Sequence, residues 1–319
     1  MRIAALLAAA VLALAGPSLA REPQRTVAVT IDDLPYAPGG VPCTPAEADA
    51  FTTGFLAMLV EERVPAIGFA NPGRGCGGQP ADPALLERWL AAGFDLGSHS
   101  NTHPNINQVG LAAYQADVIA AEPSLRPLLE RYGKRLIWYR HPFLRTGETE
   151  EVRAGMASFL AGRGYRVAPV TFDNSEWVYA AAYAKALRKG DMDEARRIGE
   201  SYVQYMMVVA IFFEVWSREI VGHEPPQILL IHANRLNRDW FPAVKAMLAE
   251  RGYRFVSLET AMADPVYARE DVYVGRYGMS WLLRWARADG RNTPREPDAP
   301  DWVTALSEAP LPATAQPDS

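Results

Sequence analysis

The sequence predicts an α/β protein built on a parallel sheet, and three observations lead to this fold class. Short apolar runs alternate with longer helical patterns seven times along the chain. Several helical patterns pass into the next apolar run through a glycine, as in LAAGFD and LAERGYRF, which is typical of a helix end. Asp-Asp-Leu-Pro, rather than a glycine-rich phosphate loop, follows the first apolar run. This weighs against a dinucleotide-binding fold and favours a barrel over an open sheet.

The periodicity of the apolar residues places seven strands and six helical stretches along the chain. The predicted strands cover residues 26–31, 64–70, 94–98, 135–140, 165–171, 227–232 and 253–258. The helical patterns cover residues 45–62, 82–92, 110–132, 149–163, 178–220 and 238–251. Thr44-Pro45 and Asp82-Pro83 each combine an N-cap residue with a proline in the first turn, so they mark the starts of the first two helices.

Two segments do not follow the alternation of strand and helix. Residues 178–226 form a long helical excursion, and Gly190-Asp191 indicates that it is divided into two helices. Beyond about residue 265 the chain is rich in aromatic residues and arginine, and then in Pro, Asp and Ala, so we expect a partly disordered extension over 266–319. The expected organisation is a barrel at 21–265 that carries the excursion between its fifth and sixth strands.

The first twenty residues have the pattern of a secretory signal peptide. Arg2 precedes an apolar run to about Ala15, a Gly-Pro break and the small residues Ser18 and Ala20. This run is shorter than the roughly 20 apolar residues of a membrane-spanning helix, which would be the alternative. We therefore expect export to the periplasm or the medium, with no integral membrane segment after cleavage. The longest later apolar run, at 206–213, is too short to span a bilayer and is interpreted as part of a buried helix.

Net charge and cysteine content narrow the range of partners and environments. The net charge is −5 and no basic block occurs, so nothing in the sequence indicates nucleic acid as a partner. Cys43 and Cys76 are the only cysteines, and both lie in loops rich in Pro and Gly. In an oxidising compartment this pair predicts a disulfide, which would stabilise the fold by about 3 to 4 kcal/mol. Two free thiols or a metal site are the alternatives.

The reactive side chains lie where predicted strands end. Asp32 and Asp33 follow the first strand, and adjacent carboxylates at the end of a buried strand repel each other unless a cation holds them. In a barrel of parallel strands, the C-terminal ends of the strands form the face on which catalytic groups converge. The other candidates at such ends are His99, His103, Arg140, His141, Asp173 and His232.

His99 and His103 are the clearest candidates for holding that cation. They lie four residues apart in GSHSNTHPN, directly after a strand, where two imidazoles can meet at one metal ion. A carboxylate from a neighbouring strand end would complete a site of two histidines and one acid with open positions. The alternative is a pair of surface histidines in a polar loop, and the nearby aspartate pair argues against it.

Five short motifs occur in an order that resembles one enzyme family. TIDD, HSNTH, RHPF, DNSEW and LLIH are similar to the motifs TFDD, H[ST]xxH, RxP[FY], DxxDW and LxH of the polysaccharide deacetylases, the NodB-homology enzymes of carbohydrate esterase family four. The resemblance covers about residues 26–260. It implies a distorted (β/α) barrel and a divalent metal, usually Zn²⁺ and sometimes Co²⁺. It also implies removal of acetyl groups from N-acetylated glycans or, less often, from O-acetylated ones.

The resemblance implies roles for the first two motifs. Asp33, His99 and His103 would bind the metal, and Asp32 would stay unbound as the general base towards a metal-held water. Physical chemistry supports this division, because one carboxylate held by a metal leaves its neighbour free to accept a proton.

The remaining motifs would complete the catalytic site. By the same resemblance, Arg140 would pair with Asp32, and a backbone N–H near Phe143 would hold the developing oxyanion. His232 would protonate the departing amine nitrogen. Leu230, two residues earlier and on the same side of its strand, would line the pocket for the acetyl methyl group.

The fourth motif departs from the family pattern. Glu176 stands where the family has an aspartate before Trp177, so either Glu176 or Asp173 is expected to orient His232. Asp173 also begins a segment typical of a helix N-cap. Trp177 is interpreted as a substrate platform or a core residue, and His141 as a further residue that lines the substrate site.

Two other functions fit part of this pattern. A non-haem Fe(II) enzyme also uses two histidines and one carboxylate, but it leaves Asp32, Arg140 and His232 without a role. A carbohydrate-binding relative without turnover is less consistent with the chain, which retains every titratable group that hydrolysis requires. Peptidoglycan, chitin-type fragments, an exported polysaccharide and a smaller N-acyl compound are all compatible substrates. The excursion at 178–226 is our candidate for one wall of the groove.

Overall fold

The computed structural model of this protein describes residues 25–311. Its strands are β1 (Arg25–Leu34), β2 (Ile67–Ala70), β3 (Asp95–Ser98), β4 (Trp138–Tyr139), β5 (Arg166–Val167), β6 (Gln227–His232) and β7 (Tyr253–Val256). Its helices are α1 (Pro45–Glu61), α2 (Pro83–Ala91), α3 (Ile106–Val109), α4 (Leu111–Arg131), α5 (Glu150–Gly162), α6 (Glu176–Lys189), α7 (Met192–Val221), α8 (Arg235–Glu250), α9 (Leu258–Ala261), α10 (Trp281–Ala288) and α11 (Asp301–Glu308). The predicted signal peptide lies outside the described residues.

The strands form one parallel sheet that curls around β1. Their order is β5-β4-β3-β2-β1-β6, and β7 pairs with the first residues of β1. Along one edge of β1, β7 pairs with its first residues and β2 with its last residues. Along the other edge, β1 pairs with β6. A parallel bridge between Phe172 and Leu229 joins the chain after β5 to β6, so the curled sheet approaches a closed ring. The predicted fold class, a distorted barrel of seven parallel strands, is confirmed.

The centre of β1 explains why the sheet forms around it. Val27–Asp32 is buried along its whole length, as expected for a parallel strand covered on both faces. On one side, Phe55 of α1 lies with its ring centroid 5.1 Å from that of Phe51 and 6.0 Å from that of Trp89 on α2. This aromatic packing anchors the first two helices on the sheet.

The first two helices begin where the sequence predicts. Thr44 caps α1 in a capping box, in which its side chain accepts from the Glu47 N–H and the Glu47 side chain accepts from the Thr44 N–H. Asp82 caps α2 by accepting from the N–H of Ala84. In contrast, β4 and β5 are shorter than predicted, because only two residues of each pair with one another.

The helical excursion consists of α6 and α7, divided at Gly190 as predicted. Gly190 ends α6 in the left-handed conformation, with φ at 75°. Within residues 25–311, α7 is long and apolar enough to cross a membrane, but half of its apolar window is buried inside the protein. The buried face includes Met206, Val209 and Phe213, so α7 belongs to the core of the barrel protein.

The C-terminal extension differs from the partly disordered segment expected from its composition. Up to residue 311 it contains α10 and α11, and α10 buries both Trp281 and Trp285. The backbone N–H of Trp281 donates to the Val170 carbonyl at 2.7 Å, and the Ser280 hydroxyl donates to the Thr171 carbonyl at 2.7 Å. The buried tryptophans therefore attach the first part of the extension to the barrel, whereas residues 312–319 of the expected loose tail lie outside the described residues.

Candidate metal centre and active site

Both aspartates of TIDD face the same site because the end of β1 is irregular. Side chains alternate between the two faces of a regular strand, so neighbouring residues point apart. Asp33 adopts a left-handed backbone with φ at 62°, and the register with β2 shifts between Ile31 and Leu34. As a result, an oxygen of Asp32 and one of Asp33 lie 3.6 and 3.8 Å from Nε2 of His99.

Asp33, His99 and His103 form the candidate metal centre. Their possible ligand atoms all lie within 4.8 Å of one another, and Asp33 Oδ1 lies 3.6 Å from Nε2 of His103. Two imidazole nitrogens and a carboxylate oxygen are a donor set suited to zinc and similar divalent metals. Burial lowers the pKa of both histidines, so their imidazoles are held in the neutral form that binds metals.

His99 is oriented by the strands around it. Its backbone N–H donates to the Ala70 carbonyl at 2.9 Å, which continues the pairing of β3 with β2. Its Nδ1 lies 2.9 Å from the Arg140 carbonyl. Because a carbonyl can only accept, Nδ1 carries the proton and Nε2 presents its lone pair to the site.

Asp32 is buried beside this centre and contacts Arg140. The Nη1 atom of Arg140 lies 3.5 and 3.4 Å from the two carboxylate oxygens of Asp32. Arg140 is itself fixed, since it donates to the Thr30 hydroxyl and the Ala168 carbonyl at 2.9 Å each. Burial raises the pKa of Asp32 to about 6, although the Arg140 charge acts in the opposite direction.

His232 ends β6 in register with Asp32 on the neighbouring strand, so the two residues lie at the same end of the sheet. Its Nδ1 lies 2.6 Å from Oε2 of the fully buried Glu176. Asn234 and Asn237 donate to the other oxygen of this carboxylate, Asn237 at 2.8 Å. Burial lowers the pKa of His232, but the Glu176 carboxylate outweighs it and raises the pKa to about 9.

Of the two acids proposed to orient His232, the structure brings only Glu176 to it. Asp173 is partly buried in the same loop, but its carboxylate accepts from the Asn174 N–H at 2.9 Å and makes no hydrogen bond with His232 within residues 25–311. Asn174, in turn, accepts from the Glu176 N–H at 3.0 Å and donates to the Leu230 carbonyl at 2.8 Å. This turn begins α6 and delivers Glu176 to the end of β6.

Three of the candidate substrate residues differ in exposure and position. Phe143 is 49% exposed, and its ring centroid lies 4.4 Å from that of His103. Trp177 is 62% exposed next to Glu176, so the structure places it at the surface and not in the core. Leu230 is buried in β6, opposite Thr30 of β1.

His141 is not brought to the candidate site. Its buried side chain contacts Tyr139 and lines a different cavity of about 500 Å³, together with residues such as Arg153, Tyr267 and Trp285. Arg140 faces the barrel end and His141 faces away from it, as successive residues of extended chain do. The structure therefore gives no support to a substrate-lining role for His141.

Some residues that hold the site were missed by the sequence analysis. Asp117 on α4 accepts from the backbone N–H groups of Asn101 and Thr102 at 2.8 and 3.0 Å, and thereby fixes the loop between the two histidines. Nothing in the local pattern of α4 distinguishes this acid from a solvated one. The sequence does contain a pattern that points to Asn234 and Asn237. HANRLN places two asparagines three residues apart where a helix begins, and asparagine is a common N-cap residue.

The predicted disulfide between Cys43 and Cys76 is present. It ties the loop after β1 to the loop that carries Arg74, whose Nη1 lies 3.3 Å from Oδ1 of Asp33. The disulfide therefore borders the metal centre.

Comparisons with known proteins found several solved structures and one family model that are similar to the chain. Several solved structures are similar to the chain: the family 4 carbohydrate esterase from Streptomyces lividans (20% identity, 74% of this chain and 95% of that one, TM-score 0.45) and the chitin deacetylase from Colletotrichum lindemuthianum (20%, 75% and 88%, TM-score 0.46). A mutant of BA3943, a CE4 family pseudoenzyme, is also similar (15%, 76% and 68%, TM-score 0.45).

A family model described as polysaccharide deacetylase matches residues 20–158. This segment includes both aspartates, both histidines of the metal centre and Arg140, whereas Glu176 and His232 follow it in the chain. Residues 20–158 are therefore similar to the polysaccharide deacetylase family.

Proposed function

We propose that this protein is a metal-dependent deacetylase that hydrolyses the N-acetyl group of a glycan to acetate and a free amine. One observation carries the proposal. The three candidate metal ligands lie beside a buried carboxylate, Asp32, and the adjoining strand carries, in register with it, His232, whose acidic partner keeps it protonated. Amide hydrolysis requires all three functions, namely an electrophile, a base and an acid.

Asp33, His99 and His103 would hold the metal ion, for which we propose Zn²⁺, with Co²⁺ as an alternative. A bound divalent ion supplies Lewis acidity, which polarises the acetyl carbonyl and lowers the pKa of water. The donor set fits this role, because neutral imidazoles and one carboxylate leave open positions for water and substrate.

Asp32 is the proposed general base. Its carboxylate accepts the proton of the attacking water, and the Arg140 guanidinium keeps it oriented. A pKa of about 6 leaves this carboxylate ionised at neutral pH but still basic enough to take a proton. Asp33 does not compete for this role, since it would be bound by the metal.

His232 is the proposed general acid. Its protonated imidazole gives a proton to the sugar nitrogen as the C–N bond breaks, so the amine departs as a neutral group. Glu176 holds the other ring nitrogen and keeps the imidazolium form available above neutral pH. Phe143 and Trp177 would contact the sugar, the Phe143 backbone would stabilise the oxyanion and Leu230 would contact the acetyl methyl group.

The two alternatives make less use of these residues. An Fe(II) enzyme would use the same three ligands but would leave the Asp32–Arg140 and His232–Glu176 pairs idle. A non-catalytic carbohydrate-binding protein would need neither pair, and the burial of Asp32, Arg140 and Glu176 carries a cost in desolvation.

We also propose that the protein is exported. The predicted signal peptide and the disulfide support a periplasmic or extracellular location, since disulfides persist in oxidising compartments. The proposed substrates are N-acetylated glycans of the cell envelope or surroundings, such as peptidoglycan or chitin-type oligosaccharides.

The test is acetate release from defined oligomers of N-acetylglucosamine and N-acetylmuramic acid, with and without a chelator. We expect release that the chelator abolishes and that Zn²⁺ or Co²⁺ restores. Asp32→Asn should lower kcat by roughly 10² to 10⁴-fold while metal content stays unchanged. Turnover that survives metal removal, or a protein that recovers only with Fe(II) and oxygen, would contradict the proposal.

A further inference from the structure

Arg145 lies beside the metal centre without an ionic partner. None of the ion pairs within residues 25–311 involves it, whereas the nearby Arg153 pairs with Glu150 at 2.6 Å and Arg284 with Asp271 at 2.6 Å. Its Nε has no hydrogen-bond partner in the same range. Because no carboxylate within residues 25–311 pairs with it, the partly exposed guanidinium can still bind an anion.

Aromatic rings hold the Arg145 guanidinium in place. Its central carbon lies 5.1 Å from the ring centroid of Phe143 and 5.9 Å from that of Tyr277. Phe143 in turn packs on the metal-centre residue His103. The ring of Phe143 therefore lies between the Arg145 guanidinium and the proposed metal ligand His103. Stacking on the two aromatic rings limits the motion of the guanidinium.

The backbone around Arg145 is fixed by the C-terminal extension. The buried Arg284 donates to the carbonyl of Leu144 and, at 3.2 Å, to the hydroxyl of Thr146, which are the two neighbours of Arg145. Gly278 approaches so closely that a Cβ atom there would lie 2.0 Å from the Phe143 carbonyl oxygen. The fixed backbone and the stacked guanidinium together hold the positive charge of Arg145 in a pre-organised position.

Tyr277 belongs to this rim and not to the barrel. It is 63% exposed, and the carbonyl of its neighbour Arg276 accepts from the Asn107 side chain at 3.1 Å, just after His103 in the chain. The extension therefore adds the exposed aromatic ring of Tyr277 to the site opening. An exposed aromatic ring is suited to packing against the face of a sugar ring.

We propose that Arg145 binds a carboxylate carried by the glycan substrate close to its acetamide, with Phe143 and Tyr277 as the adjoining sugar-binding surface. The inference rests on the proposed deacetylase function and narrows its substrate to an acidic N-acetylated glycan. Two sources provide this chemistry: a carboxylate on an ether substituent of the N-acetylated sugar, as in N-acetylmuramic acid, and a carboxylate on a neighbouring uronic acid.

The experiment compares kcat/KM for acetate release from three tetrasaccharides. The first is a neutral oligomer of N-acetylglucosamine. In the second, N-acetylglucosamine alternates with N-acetylmuramic acid, and in the third, N-acetylglucosamine alternates with glucuronic acid. We expect the wild type to prefer one acidic substrate over the neutral one, which also identifies the source of the carboxylate. Arg145→Gln should lower that preference roughly 10- to 100-fold, the loss typical of a charged hydrogen-bonded contact. Methyl esterification of the acidic substrate should have the same effect on the wild type.

Two further variants separate charge recognition from a structural role. Arg145→Lys keeps the charge and should retain part of the preference. Arg254→Gln is the matched control, because Arg254 is exposed on β7, which pairs with the opposite end of β1 from the site. It should leave the preference unchanged.

The result that would overturn the inference is an equal change in activity on acidic and neutral substrates in Arg145→Gln, or no acidic preference in the wild type. Absence of acetate release from all substrates would instead contradict the proposed function. In that case, calorimetry still tests recognition of the carboxylate, because binding requires no turnover. The same oligosaccharides are titrated into Asp32→Asn and into the double variant Asp32→Asn, Arg145→Gln. The double variant should lose the affinity that depends on the carboxylate.

Discussion

The Oε2 atom of Glu176, at the start of α6, lies 2.6 Å from Nδ1 of His232, at the end of β6. The two residues are 56 positions apart in the chain, and Glu176 is fully buried. Glu176 has the largest effect among the groups that raise the pKa of His232 against burial, ahead of Asp33 and Asp32. It also leaves Nε2 of His232 free to face the site.

Replacing Glu176 should change the pH dependence of the reaction. In the wild type, the acid His232 is lost as pH rises through its pKa of about 9. Glu176→Gln removes the group that raises this pKa, so the alkaline limb of kcat/KM should move to lower pH and activity at pH 8 should fall. A pH profile of acetate release measures the shift. Asp173→Asn is the matched control, and a larger shift in that variant would assign the orienting role to Asp173.

Substitutions of the two adjacent aspartates should affect metal binding and proton transfer separately. Asp33→Ala and His103→Ala each remove a proposed ligand, so we expect metal content and activity to fall together. Asp32→Asn should keep the metal and lower kcat by roughly 10² to 10⁴-fold, the usual contribution of a general base. Elemental analysis of the purified variants, alongside acetate release, provides the measurement. Metal loss in Asp32→Asn would make Asp32 a ligand as well.

The buried Asp32 carboxylate should reduce the stability of the metal-free fold at neutral pH. Its pKa of about 6 lies above the ordinary aspartate value of 3.8, so the folded state binds the proton more tightly than the unfolded state. Stability is therefore lost as pH rises through this window. The wild type should therefore lose unfolding free energy between pH 4 and pH 7, and Asp32→Asn, which removes the titrating group, should lose less. Urea unfolding of both proteins at the two pH values tests it, and an equal loss in both would point to another cause.

Removing the disulfide should loosen the loops beside the metal centre. Replacing Cys43 and Cys76 together by serine should lower the free energy of unfolding by about 3 to 4 kcal/mol, mainly because the unfolded chain gains freedom. Metal affinity should also fall, since the Cys76 loop carries Arg74 next to Asp33. Denaturant unfolding and metal titration measure the two effects. Unchanged stability would show that the loops are held by packing alone.

The structure also changes the interpretation of the helical excursion. The sequence suggested that residues 178–226 wall one side of the groove, but the buried face of α7 belongs to the hydrophobic core. The part next to the candidate site is the first turn of α6, with Glu176 and the exposed Trp177. Deletion of α7 would therefore unfold the protein, whereas Trp177→Ala is the suitable test of substrate contact.

The sequence by itself determined the order of strands and helices, the starts of α1 and α2, the division at Gly190 and the disulfide. These features depend on local patterns: apolar periodicity, capping residues, a glycine that adopts positive φ, and a single pair of cysteines. The same patterns placed the reactive side chains at strand ends, because parallel strands direct their C-terminal ends to one face.

Only the tertiary structure decided which of these side chains meet. The left-handed backbone at Asp33 turns both aspartates to one site, the contact with His232 belongs to Glu176 and not to Asp173, and His141 faces a different cavity. The C-terminal extension folds because its tryptophans find a buried position against the barrel. Each of these outcomes depends on packing between segments that are distant in the chain, and local sequence preferences carry no information about such contacts.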